Sequence, residues 1–376
     1  MKPIPKELYI ALKELEDHGY EAFLVGGAVR NYVLNTPIKD YDITTNADPN
    51  AIKMVFNKYR LYDIGKKHGT IAVLIGKYTF EITPYRLETR YKDHRHPDKV
   101  IFTNELKNDL KRRDFTINAL CLDSKNNIID LFNGIDDINN KLIRAIGNPH
   151  TRFNEDALRI LRALRFKAKL NFEIEEKTRK ELFRCKDLLS YISYERKKDE
   201  LLQILESKKA FRIINEYLDI FNTFIPFKQT KRKINNFSSA FYALAFLLKD
   251  TDKPNLKQMK FSNQEIDLLK TLIQASKIDI DDDYQFISCL SDFYQKQILQ
   301  FLEQYHRLDL QNRFKSLKKY MCTMNDLKID GKQIESYGYK EKQIGQIKKQ
   351  LLELVHHKKL HNTASSLNKH LKKNIL

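Results

Sequence analysis

Residues 20–46 read Tyr-Glu-Ala-Phe-Leu-Val-Gly-Gly-Ala-Val-Arg-Asn-Tyr-Val-Leu-Asn-Thr-Pro-Ile-Lys-Asp-Tyr-Asp-Ile-Thr-Thr-Asn. An apolar, strand-like segment from Ala22 to Val25 runs into Gly26-Gly27, and a helix-like segment carrying Arg30 follows. Asp40-Tyr41-Asp42 then heads a β-branched run. Glycines between a strand and a helix let backbone N–H groups approach phosphate, and a helix start favours negative charge. Residues two apart in a strand point the same way, so Asp40 and Asp42 are expected to converge. Converging carboxylates beside a phosphate cradle suit a hard, oxygen-seeking cation such as Mg²⁺. The stretch therefore predicts metal-assisted phosphoryl or nucleotidyl transfer. Each part alone is weak, since Gly-Gly is often only a turn and Asp-x-Asp only a solvated strand edge. A dinucleotide fingerprint is disfavoured because no third glycine follows until Gly65, and the Walker Gly-Lys-Ser/Thr is absent. The ordered combination carries the specificity.

The 376 residues suffice for two to four domains, and no apolar run approaches the length of a membrane span. Met1-Lys2-Pro3-Ile4-Pro5 lacks the apolar core of a signal peptide. Cys121, Cys185, Cys289 and Cys322 lie far apart without a Cys-x-x-Cys pair, which predicts buried thiols in a reducing compartment and neither disulfides nor zinc. A cytoplasmic location is expected. The net charge of +18 suits a polyanionic partner, nucleic acid first.

Outward from the opening stretch, Leu8, Leu12 and Leu15 mark one face of a helix over residues 5–18, and residues 49–59 read as another. The 64–70 segment is turn-rich. Residues 71–75 and 78–83, joined by Gly76-Lys77, predict a hairpin beside the Asp-x-Asp strand. Glu81 in it either joins the metal pair or is an exposed strand residue. The polar, charged run 84–103 reads as a mobile loop near the site. Arg112-Arg113 precedes Asp114 and Asn118, polar residues interleaved with apolar ones. They need buried partners, which predicts a polar network and an arginine turned toward phosphate. Asn126-Asn127 and 130–134 read as turns.

From about 150 the chain reads as helical. Residues 151–170 predict one helix capped by Asn154, with Asp156 and Arg159 adjacent on one surface and Arg162 and Arg165 continuing the row. On a straight helix each step of three drifts by about 60°, which leaves Arg165 opposite Asp156. Asp156 with Arg159 is the favoured pair, then Arg162, then Arg165; the plain alternative is a salt-bridged face. Ser193-Tyr194-Glu195-Arg196 looks like a further helix start. The last fifty residues are rich in Lys, which suits a phosphate backbone, and His356-His357 reads as an exposed helix end.

In this order the motifs resemble those of the class II tRNA nucleotidyltransferases, the bacterial CCA-adding enzymes with their poly(A) polymerase relatives. Leu24 to Arg30 with Asp40-Tyr41-Asp42 looks like the first motif, and Arg112 to Leu120 like the second. Glu155-Asp156-Ala157-Leu158-Arg159 with Arg162 and Arg165 looks like the nucleotide-selecting motif, and Glu195-Arg196 with Glu200 like the next. Glu88, Tyr91, Asp93, Arg95 and Pro97 look like the intact loop of a full CCA-adding enzyme, which disfavours a CC-adding enzyme. Asn31 stands where Asp is commoner, and Tyr339-Lys340-Glu341 where Pro-Gly is usual.

The resemblance implies an α+β fold: a nucleotidyltransferase head with a small mixed sheet (1–140), then an all-α neck (141–205), body (206–310) and basic tail (311–376). It implies transfer of CMP, CMP and AMP from CTP and ATP to the tRNA 3′ end, with no membrane partner. Asp40 and Asp42 would be catalytic and hold Mg²⁺. Gly26, Gly27, Arg30 and Arg113 would grip the triphosphate, and Asp156, Arg159, Arg162 and Arg165 would bind the nucleotide. Cytosine and adenine each present an amino donor beside a ring acceptor, whereas guanine and uracil present the reverse. An acceptor-only Asp156 with a donor-only Arg159 would fit the first two. The alternatives are a CC-adding enzyme, a poly(A) polymerase and a non-catalytic RNA-binding protein; the intact Asp40/Asp42 pair disfavours the last.

Overall fold

A computed structural model describes residues 4–65, 69–91, 97–230, 237–251 and 255–373. Packing divides the chain into two compact units, Met1–Pro226 and Phe227–Leu376.

The first unit opens with α1 (Lys6–Asp17), whose Leu8, Ala11, Leu12 and Leu15 are buried as the sequence spacing predicts. Next come β1 (Ala22–Val25), α2 (Gly27–Val33), β2 (Tyr41–Thr45) and α3 (Pro49–Val55). Asp48 caps α3, accepting from the Asn50 and Ala51 amides. Then follow β3 (Arg60–Gly65), β4 (Thr70–Ile75), β5 (Tyr78–Pro84), β6 (Arg86–Tyr91) and β7 (Pro97–Phe102). After α4 (Leu106–Lys111) and a 3₁₀ turn at Thr116–Asn118 come β8 (Leu120–Leu122) and β9 (Ile128–Asp130). Seven strands form one mixed sheet in the order β3-β4-β5-β2-β1-β8-β9. β4 and β5 form the expected hairpin, and β5 lies parallel to β2, in register from Tyr41↔Phe80 to Thr45↔Pro84.

In the strand-rich part of this unit, two segments depart from expectation. Residues 60–65, read partly as a turn, form edge strand β3 on β4. Tyr62 and Ile64 there are exposed, so hydrophobic pattern gave no sign of it. The run read as a mobile loop is, over its described residues, the antiparallel pair β6–β7, from Arg86↔Phe102 to Tyr91↔Pro97. Its alternation is carried by charged residues, which masks the strand period. Asp93, Arg95 and the side chains of Glu88, Tyr91 and Pro97 lie outside the described residues, as do residues 66–68 of the expected turn.

The turn at 130–134 is held by Asp130, which accepts from the amides of Phe132, Gly134 and Ile135. Gly134 then opens α5 (Gly134–Asn139) against the 3₁₀ turn, where a Cβ would stand 2.4 Å from Thr116 O. Backbone cannot yield there as a flexible side chain would. Gly134→Ala is expected to destabilise the unit by about 2–3 kcal/mol, read as a lower urea midpoint at unchanged slope.

β10 (Leu142–Ile143) pairs with β11 (Glu173–Ile174), a two-residue parallel contact within the otherwise helical stretch. The predicted 151–170 helix is broken into α6 (Pro149–Glu155) and α7 (Leu158–Leu170). Asn148, not Asn154, caps α6, and Asp156 has extended geometry between the two. After α8 (Glu176–Arg184), α9 (Tyr194–Leu205) starts where predicted, though Ser193 forms no side-chain cap bond. α10 (Ala210–Glu216) and α11 (Leu218–Phe221) close the unit.

Among the described residues of the second unit, the regular elements are all helices. Its centre is aromatic: Phe237, Tyr242 and Tyr305 gather around buried Phe301, with Phe246 against Phe237 and Tyr305. Residues from Cys322 to Leu371 share a core of their own, with Ile334, Leu351, Val355 and Leu367 at its centre. His356 is a correction to its reading as an exposed helix end. It is buried, bonds Cys322 O at 3.0 Å, and burial lowers its pKa. His357 stacks on Tyr284. All four cysteines are free, three of them buried. Among the described residues no helix is long and apolar enough to cross a membrane.

Candidate active site

Gly26 leaves β1 with φ 75° and ψ −133°, a conformation that a Cβ disfavours strongly. Its amide donates to Leu120 O at 3.2 Å, which ties the turn to β8. A Cβ on Gly26 would stand 3.4 Å from Arg113 Nη1, and one on Gly27 would stand 3.4 Å from Arg30 Nη2. The two glycines are thus the points at which two guanidinium groups approach the backbone.

Asp42 is in register with Glu81 across the parallel β2–β5 pair, so both carboxylates leave the same sheet face. Asp40 lies just before β2, and all three acids reach solvent. The Asp42 carboxyl is nevertheless held above its ordinary range. Crowding by surrounding protein is the first cause; the charges of Glu81 and Asp40 add to it, and Arg113 opposes it. Clustered carboxylates that resist joint ionisation fit a divalent cation, whose charge would relieve them. Glu81, left open by the sequence, stands with this group.

Arg113 is placed by Asp109. This fully buried carboxylate bonds Arg112 Nη2 at 2.7 Å and Arg113 Nη2 at 3.1 Å, and accepts from Thr44 Oγ1. The two arginines hold Asp109 below its usual pKa against the opposing effect of burial. Arg113 Nε is buried without a hydrogen-bond partner, a donor left for an anionic oxygen. Sequence reading missed Asp109. Its spacing of three and four from Arg112 and Arg113 was the available sign.

Arg30 is buried in α2. Nη1 donates to Asn118 Oδ1 at 2.5 Å and Nη2 to Asn31 Oδ1 at 3.0 Å. Burial, with Arg165 and Arg162 nearby, lowers its pKa to about 10 despite the opposing charge of Asp114. Arg30, Arg162 and Arg165 gather around the Phe166 ring, 5.2, 5.6 and 4.8 Å from its centroid. Three guanidinium groups thus share one ring, Arg162 and Arg165 being ion-paired with Asp114 and Glu200.

The expected polar network is present. Asp114 accepts from the Phe115 amide, from Asn118 Nδ2 and from Arg162 Nη2 at 2.6 Å. Burial would raise this carboxyl, but Arg162 and these donors hold it at about 2. A depressed carboxyl stabilises the fold above its ordinary value, and that contribution fades as pH falls from about 4 toward 2. Over that window the wild type is expected to lose about 2 kcal/mol more unfolding free energy than Asp114→Asn, read by urea titration at each pH.

Asp156 and Arg159 are not brought together as the one-helix reading required. The helix break sets Asp156 outside α7, where Oδ1 accepts from the Leu158 amide at 3.1 Å and Oδ2 pairs with Arg196 at 3.0 Å. Arg159 is buried and bonded instead to Glu155 Oε2 at 2.8 Å, Arg152 O and Arg112 O. Arg165 approaches Glu200 at 3.1 Å and bonds Gln203. Although the one-helix reading put it last, it lies with Arg30 and Arg162.

Two sequence profiles match the chain: the poly A polymerase head domain over residues 22–144, and the probable RNA and SrmB-binding site of polymerase A over 171–230. A CCA-adding enzyme of Enterococcus faecalis is 51% identical over 200 residues, 53% of this chain. That match spans about half of the relative's own length, 49%. A CCA-adding enzyme of Ligilactobacillus salivarius is 40% identical over 307 residues, covering 75% of this chain and 76% of the relative. Among solved structures, the Bacillus stearothermophilus CCA-adding enzyme in complex with CTP superposes with a TM-score of 0.79 at 26% identity. It covers 100% of this chain and 98% of that one. The Thermotoga maritima CCA-adding enzyme complexed with tRNA shares the fold, with a TM-score of 0.69 at 20% identity, 100% of this chain and 97% of that one being covered. Shared sequence across three quarters of a relative, on a head with this sheet and these motifs, places the chain in the CCA-adding enzyme family, the class II tRNA nucleotidyltransferases.

Proposed function

We propose that the protein is a cytoplasmic enzyme that adds C, C and A in turn to the 3′ end of tRNA, using CTP and ATP and releasing pyrophosphate. The observation that carries this reading is the juxtaposition of Asp42 and Glu81 on one sheet face with Asp40 and with Arg113, which abuts Gly26. Asp40 and Asp42, joined by Glu81, would hold Mg²⁺. When bound, the ion lowers the pKa of the tRNA 3′-hydroxyl and neutralises the departing pyrophosphate. Arg113, with its free Nε, and Arg30 at the glycine turn grip the triphosphate, and the glycines let them close on it. Arg162 and Arg165 add cationic charge beside Arg30. Asp156 and Arg159 select the base, with acceptor and donor polarity matched to cytosine and adenine. In this reading residues 1–140 are the catalytic head, 141–205 the selecting neck, 206–310 the body and 311–376 the basic tail against tRNA.

The test is incubation of the purified protein with tRNA lacking its 3′ CCA, Mg²⁺, and CTP or ATP singly and together, resolved on a sequencing gel. Two additions with CTP alone and a third only when ATP is also present are expected. A long ladder from ATP alone would make it a poly(A) polymerase, a stop at CC with both nucleotides a CC-adding enzyme, and no addition a binding protein.

A further inference from the structure

A second group of metal-ligating side chains lies in the first unit, apart from the carboxylates of the sheet. His150 stands in the first turn of α6, and Glu181 and Cys185 lie one helical turn apart at the end of α8. His150 Nδ1 is 2.9 Å from Glu181 Oε2, Cys185 Sγ is 3.6 Å from His150 Nδ1, and Cys185 Sγ is 3.8 Å from Glu181 Oε2. Metal–sulfur distances of about 2.3 Å and metal–nitrogen or metal–oxygen distances of about 2.05 Å, at tetrahedral angles, set the ligand separations. They come to about 3.6 Å for sulfur to nitrogen or oxygen, and about 3.3 Å for nitrogen to oxygen. The observed triangle is within a few tenths of an ångström of that set.

We propose that His150, Glu181 and Cys185 form a site for one Zn²⁺ ion or a similar borderline-soft divalent cation. Nitrogen, oxygen and sulfur donors supply three corners of a tetrahedron. Cys185 is buried while the His150 side chain is half exposed, so the fourth corner opens toward water. Arg184 approaches the other Glu181 oxygen, Oε1, at 3.5 Å and leaves Oε2 to the triangle. On binding, the Sγ–H proton leaves to solvent and the thiolate takes its place on the ion. The ion would clip the start of α6 to the end of α8, and α6 ends at Glu155, the residue before Asp156. The sequence concealed the site because its cysteine has no cysteine partner; the Glu181-x-x-x-Cys185 spacing was the sign.

The test uses the full chain, stripped with chelator and desalted, titrated with Co²⁺ alone. One equivalent is expected to raise a thiolate-to-cobalt charge-transfer band with the intense visible bands of four-coordinate cobalt. The carboxylates at Asp40, Asp42 and Glu81 offer oxygen only and give no such charge transfer. In His150→Ala, a change at a half-exposed side chain, affinity is expected to fall at least about tenfold. Cys185→Ala is expected to abolish the charge-transfer band, and circular dichroism checks that it is folded. Zn²⁺ is expected to displace Co²⁺ and to raise the melting temperature of wild type but not of His150→Ala. Absence of the charge-transfer band in wild type, its persistence in folded Cys185→Ala, or unchanged affinity in His150→Ala would each overturn the assignment.

Discussion

Asp42→Asn is expected to lose about a thousandfold or more in CMP transfer and yet to melt at a higher temperature than wild type in metal-free buffer. Both effects come from one cause. Asp42 shares its sheet face with Glu81 and feels Asp40, and crowding with these charges raises its pKa. A carboxyl raised by folding contributes most below the ordinary carboxylate range, and that contribution is lost as pH rises through the raised value. At neutral pH the ionised group therefore opposes folding. Asparagine keeps the shape and removes the repulsion. The same substitution removes a charged oxygen from the proposed Mg²⁺ site, and metal stabilisation of developing charge supplies several kcal/mol. A loss of about 4 kcal/mol corresponds to a thousandfold in rate. Thermal melts with and without Mg²⁺ check the account: Mg²⁺ should raise the melting temperature of wild type and do little for the variant. A variant that melts lower in the absence of metal, or that gains as much from Mg²⁺, would remove the carboxylate cluster as the source of both effects.

The parts of this site that the sequence disclosed are those whose geometry is set locally. A strand, two glycines and a helix start within a dozen residues, and Gly26 takes the positive φ that only such a turn requires. The β4–β5 hairpin was legible because Gly76-Lys77 joins an apolar run, 71–75, to an alternating one, 78–83. What stayed hidden depends on partners distant in sequence. Strand β3 exists because β4 lies beside it, and its exposed Tyr62 and Ile64 give no inward pattern. Asp109 looks like any surface acid until Arg112, Arg113 and Thr44 close over it. Glu81 acquires its meaning only from the parallel register that sets it beside Asp42. The 151–170 run kept helical spacing on both sides of Asp156, so periodicity could not reveal that the helix stops and restarts there.

That break bears on the proposed base selection. Asp156→Ala is expected to retain part of the transfer activity while losing about a hundredfold of its preference for CTP over UTP, measured as the ratio of kcat/KM. The value follows from the energetics of buried mismatches. An unpaired polar group opposite the wrong base costs about 1–3 kcal/mol, and without the carboxylate the penalty against uracil falls away. Asp156 now pairs with Arg196, and both side chains are partly exposed, at 20% and 28%. An ion pair that accessible to solvent is weak and readily exchanged. Arg159, by contrast, is buried, with Glu155 and two backbone carbonyls as acceptors. Of the two proposed selecting groups, Asp156 would be the one to swing, exchanging Arg196 for the edge of an incoming base while Arg159 stays in place. Arg196→Ala separates the roles, since it removes the present partner of Asp156 without removing either proposed base contact. It should keep the preference for cytosine and adenine, and Arg159→Ala should lose it. If Arg196→Ala relaxes selection as far as Asp156→Ala while Arg159→Ala does not, the donor in the selecting pair is Arg196.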